Sequence, residues 1–304
     1  MLKMPTLTEQ NLASYSGLDT WSDRRILDAM IASQKQAISA VNDALEDIAR
    51  AATLIAERYA KGGKIYYAGA GTSIRVGVQD GSELPATYDI ADDRLVYLIA
   101  GGRAGLVDTL ADAEDDRAAG ADAAKPTTKL DVLIAIAASG TTPYTCAAAE
   151  QARENGCAVI AVVNNPHSPL GKLADVEIVL ESGPEVVAGS TRMAAGTAQK
   201  AALNLLSTLA NIKLGGVHDG LMVSMRAENE KLKGRAARIV AQIANVDADE
   251  ARAALNRSSA KIKPAVLLCF GANSPALAQQ LLADNNNNLR LALIKLAAQH
   301  SRPK

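Results

Sequence analysis

The stretch Lys64-Ile-Tyr-Tyr-Ala-Gly-Ala-Gly-Thr-Ser73 decides the fold, because an apolar run passes directly into a turn of small residues. The apolar run covers residues 64–68 and is one of five in the chain that are rich in β-branched residues. The other four are residues 95–100, 131–137, 158–163 and 176–180. Each run is continuous rather than alternating, which is typical of strands covered on both faces. We therefore predict an α/β fold with a doubly wound, five-stranded parallel sheet.

Helices are predicted on both sides of the runs. Apolar residues at helical spacing predict an N-terminal helix over residues 22–59, which Gly62-Gly63 would end. The remaining helices are predicted over residues 104–124, 144–155, 196–214 and 221–243. We expect three regions, namely an N-terminal helical segment (1–50), the sheet domain (51–216) and a helical C-terminal region (217–304).

The C-terminal region contains four consecutive asparagines at residues 285–288. Such a run forms either a flexible low-complexity tip or a loop that caps a helix. We interpret it as a flexible tip.

The composition excludes several classes of protein. With 304 residues, 48% of them hydrophobic and 21% charged, the chain can bury a sizeable core, so a disordered chain or a disulfide miniprotein is excluded. A formal charge of −1 and an aromatic content of 3% argue against nucleic-acid binding by a basic face or by base stacking. A small-molecule partner fits better.

The cysteines and the N-terminus indicate the compartment. Cys146, Cys157 and Cys269 lack metal-ligand spacing, so we expect free thiols and no metal. The first ten residues lack the features of a secretory signal, and no uncharged stretch is long enough to cross a bilayer. We expect a cytoplasmic protein that does not bind membranes.

Two turns that follow strands are suited to bind an anion. Residues 67–73 and 136–143 both lead from a predicted strand into a predicted helix, and both would lie at the ligand-binding edge of the sheet. Their small residues let the backbone approach a phosphate, and their hydroxyls can donate to it. The candidate contacts are Gly71, Thr72, Ser73, Ser139, Gly140 and Thr142. Neither turn matches a Walker A or a dinucleotide motif, which leaves a sugar phosphate as the ligand.

Three glutamates in segments that follow predicted strands could transfer protons. Glu83 lies ahead of Pro85, which should end the helix, and Glu114 lies on the helix predicted over residues 104–124. Glu185 stands in a polar turn, where it could simply cap the next helix. Elimination next to a sugar carbonyl needs one base and one acid, and carboxylates can supply both.

These motifs resemble those of the N-acetylmuramic acid 6-phosphate etherases, in the same order and over nearly the whole chain. The motifs are Gly69-Ala-Gly-Thr-Ser73, Ser82-Glu83, Thr87-Tyr88, Ile99-Ala-Gly-Gly102, Ala113-Glu-Asp115, Ala137-Ala-Ser-Gly140, Thr142-Pro-Tyr144, Gly189-Ser-Thr-Arg-Met193, Ala195-Gly-Thr-Ala-Gln-Lys200 and Asn229-Glu-Lys231.

The resemblance implies a sugar isomerase (SIS) domain, a homodimer with the cleft near the subunit interface, a small UBA-like bundle from about residue 245, and no metal or organic cofactor. The implied reaction cleaves the lactyl ether of a phosphorylated amino sugar, giving N-acetylglucosamine 6-phosphate and D-lactate during cell-wall sugar recycling. Carried over by position, Glu114 is the base and Glu83 the acid, and burial beside Leu84 and Pro85 is expected to keep Glu83 protonated. The carried-over substrate contacts are the six turn residues together with Ser82, Glu185, Ser190 and Thr191.

Three residues depart from the etherase pattern. Ile74 replaces a usual glycine, Thr141 a usual arginine and Ala194 a usual lysine. We expect Ile74 to narrow the entrance to the first helix, and the two lost charges to weaken contact with an anionic group of the substrate.

Two other functions remain open at this point. One is an aldose-ketose sugar-phosphate isomerase that uses Glu185 as its base. The other is a sensor that binds a sugar phosphate without turnover, as the related glucokinase regulatory proteins do. Lactate release distinguishes the etherase from both.

Overall fold

The computed structural model describes residues 6–108 and 110–300, which fall into two compact units. One unit contains the residues up to 82 together with 93–209. The other contains residues 83–92 together with those from 210 onward. Each unit has an apolar core of its own.

The first unit is built on a five-stranded parallel sheet in the order β2-β1-β3-β4-β5. Its strands are β1 (Ile65–Gly69), β2 (Leu95–Ile99), β3 (Val132–Ala137), β4 (Ala158–Val163) and β5 (Val176–Val179). Strands β1, β3 and β4 are buried along their whole length, as continuous apolar runs predict. The predicted doubly wound α/β fold is confirmed.

The register of the sheet aligns the turns that follow β1 and β3. Gly69, the last residue of β1, pairs with Ile99 on one side and with Ile136 on the other. Because all strands are parallel, their carboxyl ends meet at one edge. The two predicted anion-binding turns therefore lie next to each other.

Among the described residues, seven α-helices begin in the first unit. They are α1 (Asp23–Asp43), α2 (Leu45–Ala60), α3 (Gly71–Tyr88), α4 (Arg117–Ala124), α5 (Pro143–Glu154), α6 (Pro169–Leu173) and α7 (Ala194–Lys213). The helix predicted over residues 22–59 is two helices that separate at Ala44. The helices predicted over 144–155 and 196–214 correspond to α5 and α7.

The prediction of a helix over residues 104–124 is largely wrong. Only its last turns are α-helical, as α4, and Gly102–Leu106 and Ala111–Ala113 are short 3-10 helices. Arg75, on α3, donates side-chain hydrogen bonds to the carbonyl groups of Gly105 and Leu106. This segment is therefore hydrogen-bonded to α3 and does not continue as an α-helix. Asp116 then caps α4 by accepting from the N–H of Ala119 at 2.9 Å.

The prediction that Pro85 ends helix α3 is also wrong, because the helix continues to Tyr88. Pro85 lies in the last turn, and its carbonyl still accepts a hydrogen bond from the N–H of Asp89 at 3.0 Å. A proline lacks only its own N–H, so one near a helix end removes one bond and leaves the following bonds intact.

Within the described part of the chain, a short hairpin and five α-helices begin in the second unit. These elements are β6 (Val217–His218), β7 (Leu221–Met222), α8 (Glu230–Ala244), α9 (Ala248–Arg257), α10 (Ile262–Cys269), α11 (Pro275–Ala283) and α12 (Leu289–His300). The helix predicted over residues 221–243 is thus wrong at its start. Asp219 and Gly220 both have positive φ angles, which favour a tight hairpin turn, and Asn229 caps α8 instead. Over residues 6–108 and 110–300, no helix has the length and apolarity needed to cross a bilayer.

The interpretation of residues 285–288 as a flexible tip is wrong, because this asparagine run makes specific hydrogen bonds. Asn288 caps α12 by accepting from the N–H of Leu291 at 3.1 Å. Asn285 donates to the carbonyl of Leu281 at 2.7 Å, and the carbonyl of Asn287 accepts from Lys263 Nζ at 2.9 Å. Helix capping, the alternative interpretation, describes the run correctly.

Lys263 is a buried lysine at the start of α10. Its amine donates to the carbonyl groups of Gly215 and Asn287, each at 2.9 Å. Burial lowers the pKa of Lys263 from 10.5 to about 8, and the charge of Asp89 offsets part of this effect. Between these two pH values the unfolded chain holds a proton that the folded chain has released, so stability rises with pH.

We expect the contribution of Lys263 to the free energy of unfolding to increase between pH 8 and 10.5, by on the order of 3 kcal/mol at most. Guanidinium chloride unfolding of the wild type and of Lys263→Met at several pH values measures the difference. The wild type should gain stability relative to Lys263→Met as the pH rises. If the difference in free energy of unfolding between the two proteins stays constant over this pH window, the pKa of Lys263 is not lowered by burial.

Candidate functional site

The first turn brings Glu114 to the start of helix α3. Gly71 has a φ angle of +52°, and a methyl group built on it would come within 3.0 Å of Glu114 Oε1. A larger residue at position 71 would therefore be strained and would displace the carboxylate. The structure thus places the predicted base directly beside one of the predicted anion-binding residues.

The backbone of Glu114 is fixed at the second turn as well. Its carbonyl accepts a hydrogen bond from the N–H of Tyr144 at 3.0 Å, in the first turn of α5. Helix α4 packs closely on this same residue, since a methyl group on Gly120 would lie 2.2 Å from the Tyr144 carbonyl oxygen. The side chain of Glu114 remains exposed to solvent. Glu114 is therefore held between the starts of α3 and α5 with its carboxylate accessible.

The second turn is ordered by its own side chains. The hydroxyl of Ser139 accepts from the Thr141 N–H at 3.2 Å and lies 2.9 Å from the Thr141 hydroxyl. Gly140 has a φ angle of +67°, and a methyl group there would lie 2.3 Å from Ser168 Cβ. Thr142 stands just before α5, and its side chain makes no capping bond to the helix. The Thr142 hydroxyl is therefore available to a ligand.

Other predicted contacts surround the first turn. Ser73 is buried and Thr72 is half-buried, with its methyl group against Gly196 at the start of α7. Ser82 lies farther along α3, where its hydroxyl donates to the Gln79 carbonyl at 3.2 Å. The structure therefore groups Thr72 with the start of α7, whereas Ser82 is engaged within its own helix.

Glu185 caps helix α7 from a buried position. Its two carboxylate oxygens accept hydrogen bonds from the N–H groups of Ala194 and Ala195, each at 2.9 Å, and the residue is 1% exposed. Burial raises the pKa of Glu185, while the two backbone hydrogen bonds and the charge of Arg192 act in the opposite direction. This geometry is that of a helix cap, and it does not support a base exposed to substrate.

Replacing Glu185 by alanine should destabilise the protein by about 2–4 kcal/mol, because it leaves two buried N–H groups without acceptors and opens a cavity. Glu185→Gln, which retains one acceptor oxygen, should lose less. Guanidinium chloride unfolding of both variants measures the two values. A change in catalysis with no change in stability would instead favour contact between Glu185 and substrate.

Ser190 and Thr191 lie just before α7. Both are half-buried, and their backbone makes the turn, since the N–H of Ser190 donates to Val187 and the Thr191 carbonyl accepts from Gly196, each at 2.9 Å. The hydroxyl groups of Ser190 and Thr191 remain predicted contacts to the substrate.

Glu83 lies on helix α3, and its side chain is exposed. The expected burial beside Leu84 and Pro85 is therefore wrong, because Leu84 takes the buried position and the neighbouring side chain on a helix points about 100° away.

Two of the departures from the etherase pattern face the interior. Ile74 and Ala194 are both fully buried, so neither side chain reaches open solvent. The expected narrowing by Ile74 is wrong, because its side chain packs beneath the turn, against Gly69 and Gly77. Thr141 is exposed and contributes to the Ser139 turn.

A third turn, at the same edge of the sheet, was not predicted from the sequence. Asn164 and Asn165 directly follow strand β4, and both are buried and hydrogen-bonded. Asn165 also binds Leu7 and Thr8 in the N-terminal segment. The signal was available, since two amide side chains after an apolar run lie where ligand-binding residues are expected.

A metal is not indicated by the side chains. Among the described residues, no three His, Cys, Asp or Glu side chains lie close enough together to hold a metal ion. Cys146, Cys157 and Cys269 are free thiols, as expected, and burial raises the pKa of Cys157 to about 12.

The chain is similar to proteins of known family. The SIS domain profile matches residues 108–209, and the glucokinase regulatory protein N-terminal SIS domain profile matches residues 27–152. The chain is 48% identical to an N-acetylmuramic acid 6-phosphate etherase from Symbiobacterium thermophilum, over 86% of this chain and 87% of that protein. It is 41% identical to a protein of the same name from Deinococcus radiodurans, over 91% and 92% of the two chains. The corresponding protein from Salmonella typhimurium is 42% identical, over 84% and 86%.

Proposed function

Because the chain belongs to the N-acetylmuramic acid 6-phosphate etherase family, we propose that it is a carbon–oxygen lyase acting on N-acetylmuramic acid 6-phosphate. Its products would be N-acetylglucosamine 6-phosphate and D-lactate, formed during cell-wall sugar recycling in the cytoplasm. The observation that carries this proposal is the accessible carboxylate of Glu114 beside Gly71, between two turns suited to hold a phosphorylated sugar.

The proposed reaction begins at C2 of the open-chain sugar. The C1 aldehyde acidifies the C2 proton, and Glu114 removes it as the general base. The electron pair forms the C2–C3 double bond, and the C3–oxygen ether bond breaks. The lactate oxygen receives a proton from the general acid, and water then adds to C3 while a proton returns to C2. No other reactant is required.

The phosphate would be held by uncharged donors. Ser139 and Thr142 supply hydroxyls next to the start of α5, where helix N–H groups favour an anion. Glu114 itself would repel the phosphate, so the reacting carbons, rather than the phosphate, should lie against its carboxylate.

We propose that the acid is the Glu83 carboxyl of the partner subunit in a homodimer. The resemblance implies a cleft near the subunit interface, and Glu83 is exposed on α3, so the Glu83 that meets the sugar should come from a second copy. An exposed apolar stripe on α1, formed by Leu27, Ile31 and Ile38, supports association of two copies.

Incubation with N-acetylmuramic acid 6-phosphate tests the proposed function. We expect stoichiometric D-lactate and N-acetylglucosamine 6-phosphate, with deuterium from heavy water incorporated at C2. Interconversion of fructose and glucose phosphates without lactate would instead identify an isomerase. Thermal stabilisation by the sugar phosphate without any product would identify a sensor.

A further inference from the structure

The N-terminal strap, residues 6–9, is packed onto the edge of the sheet that carries the proposed site. Thr8 is 1% exposed, and its carbonyl accepts a hydrogen bond from the N–H of Gly189 at 3.0 Å. Gly189 directly precedes Ser190 and Thr191. The main chain of the strap is therefore fixed beside this segment.

Asn165 ties the strap to the second turn. Its Oδ1 accepts from the N–H of Leu7 at 2.8 Å, and its Nδ2 lies 2.9 Å from the Ala138 carbonyl and 3.3 Å from Thr8 Oγ1. Ala138 is the residue before Ser139. The strap therefore bridges the two segments that contain Ser139 and Ser190.

Glu9 is the charged residue of the strap, and its carboxylate lies over Gly189. A methyl group built on Gly189 would come within 2.7 Å of Glu9 Oε2 and 3.4 Å of Oε1. Glu9 is exposed, and within residues 6–108 and 110–300 no hydrogen-bond donor or cation contacts its carboxylate. An ionised carboxylate only accepts hydrogen bonds and repels other anions.

We propose that Glu9 determines substrate specificity by accepting a hydrogen bond from a hydroxyl or the amide N–H of the sugar. Because a carboxylate repels phosphate, Glu9 faces the neutral part of the substrate and not the phosphate. This inference rests on the proposed function, because it takes Ser139, Ser190 and Thr191 as substrate contacts. The glycine at position 189 leaves the space that the Glu9 carboxylate needs.

Calorimetric titration with two probes tests the inference. N-acetylglucosamine 6-phosphate and inorganic phosphate are titrated into the wild type, Glu9→Ala, Glu9→Gln and the control Glu46→Ala, which removes another exposed carboxylate, on α2. We expect Glu9→Ala to weaken binding of the sugar phosphate about tenfold or more, and to leave phosphate binding unchanged or slightly tighter. Glu9→Gln should fall between the wild type and Glu9→Ala, and the control should match the wild type.

The different responses of the two probes separate recognition from structural damage. Equal weakening of both probes, or unchanged binding of the sugar phosphate, would overturn the role of Glu9. A wild type that binds both probes but releases no lactate would overturn the etherase function alone, and the Glu9→Ala comparison would still decide the inference. A wild type that binds neither probe would overturn both.

Discussion

Glu114→Gln should lower kcat/KM for lactate release by ~10²- to 10⁴-fold, the range expected for removal of a positioned general base. Glutamine keeps the size of the side chain beside Gly71, and the backbone bond from Tyr144 to position 114 is unaffected. Folding should therefore be preserved while the proton acceptor is lost. Lactate release and deuterium exchange at C2 should fall together, because both require removal of the same proton.

Asp112→Asn is the matched control for this prediction. Asp112 is exposed in the 3-10 helix Ala111–Ala113, which ends just before Glu114, and its substitution changes the net charge equally. We expect nearly wild-type kinetics from this variant. Wild-type lactate release by Glu114→Gln would exclude Glu114 as the base.

Glu83→Gln should lower lactate release by a comparable factor but leave C2 exchange intact, because the acid acts on the departing oxygen after the C2 proton has been removed. Measurement of deuterium incorporation and lactate on the same sample distinguishes the two steps. Full cleavage by this variant would remove Glu83 from the acid role. Since Glu83 is exposed on α3, the substitution should not affect folding.

Mixed dimers test where the acid comes from. When Glu83→Gln and Glu114→Gln chains are combined, a hybrid dimer should contain one site with an intact Glu114 from one chain and an intact Glu83 from the other. Activity should therefore reappear on mixing two inactive variants. If mixing restores no activity although hybrids form, the two carboxyl groups must belong to the same chain.

The amino-acid sequence determined the sheet and the two turns, because continuous β-branched runs and small-residue turns are local signals. The five predicted runs match β1 to β5 within one residue at each end. Helix boundaries were less predictable where side chains from elsewhere compete for backbone groups. Arg75 does so at Gly105 and Leu106, and the hairpin turn at Asp219 and Gly220 replaces a predicted helix.

The turns suggested the hydroxyl residues as candidate contacts, and the resemblance to the etherase motifs suggested Glu114 and Glu83 as candidate base and acid. What the motifs left undecided was exposure and contact between residues remote in the chain. Only the tertiary structure put Ile74 in the core, Glu185 onto the start of α7, Glu114 beside Gly71 and the carboxylate of Glu9 over Gly189. Such contacts depend on how strands and helices pack, and this packing cannot be predicted from the spacing of residues along the chain.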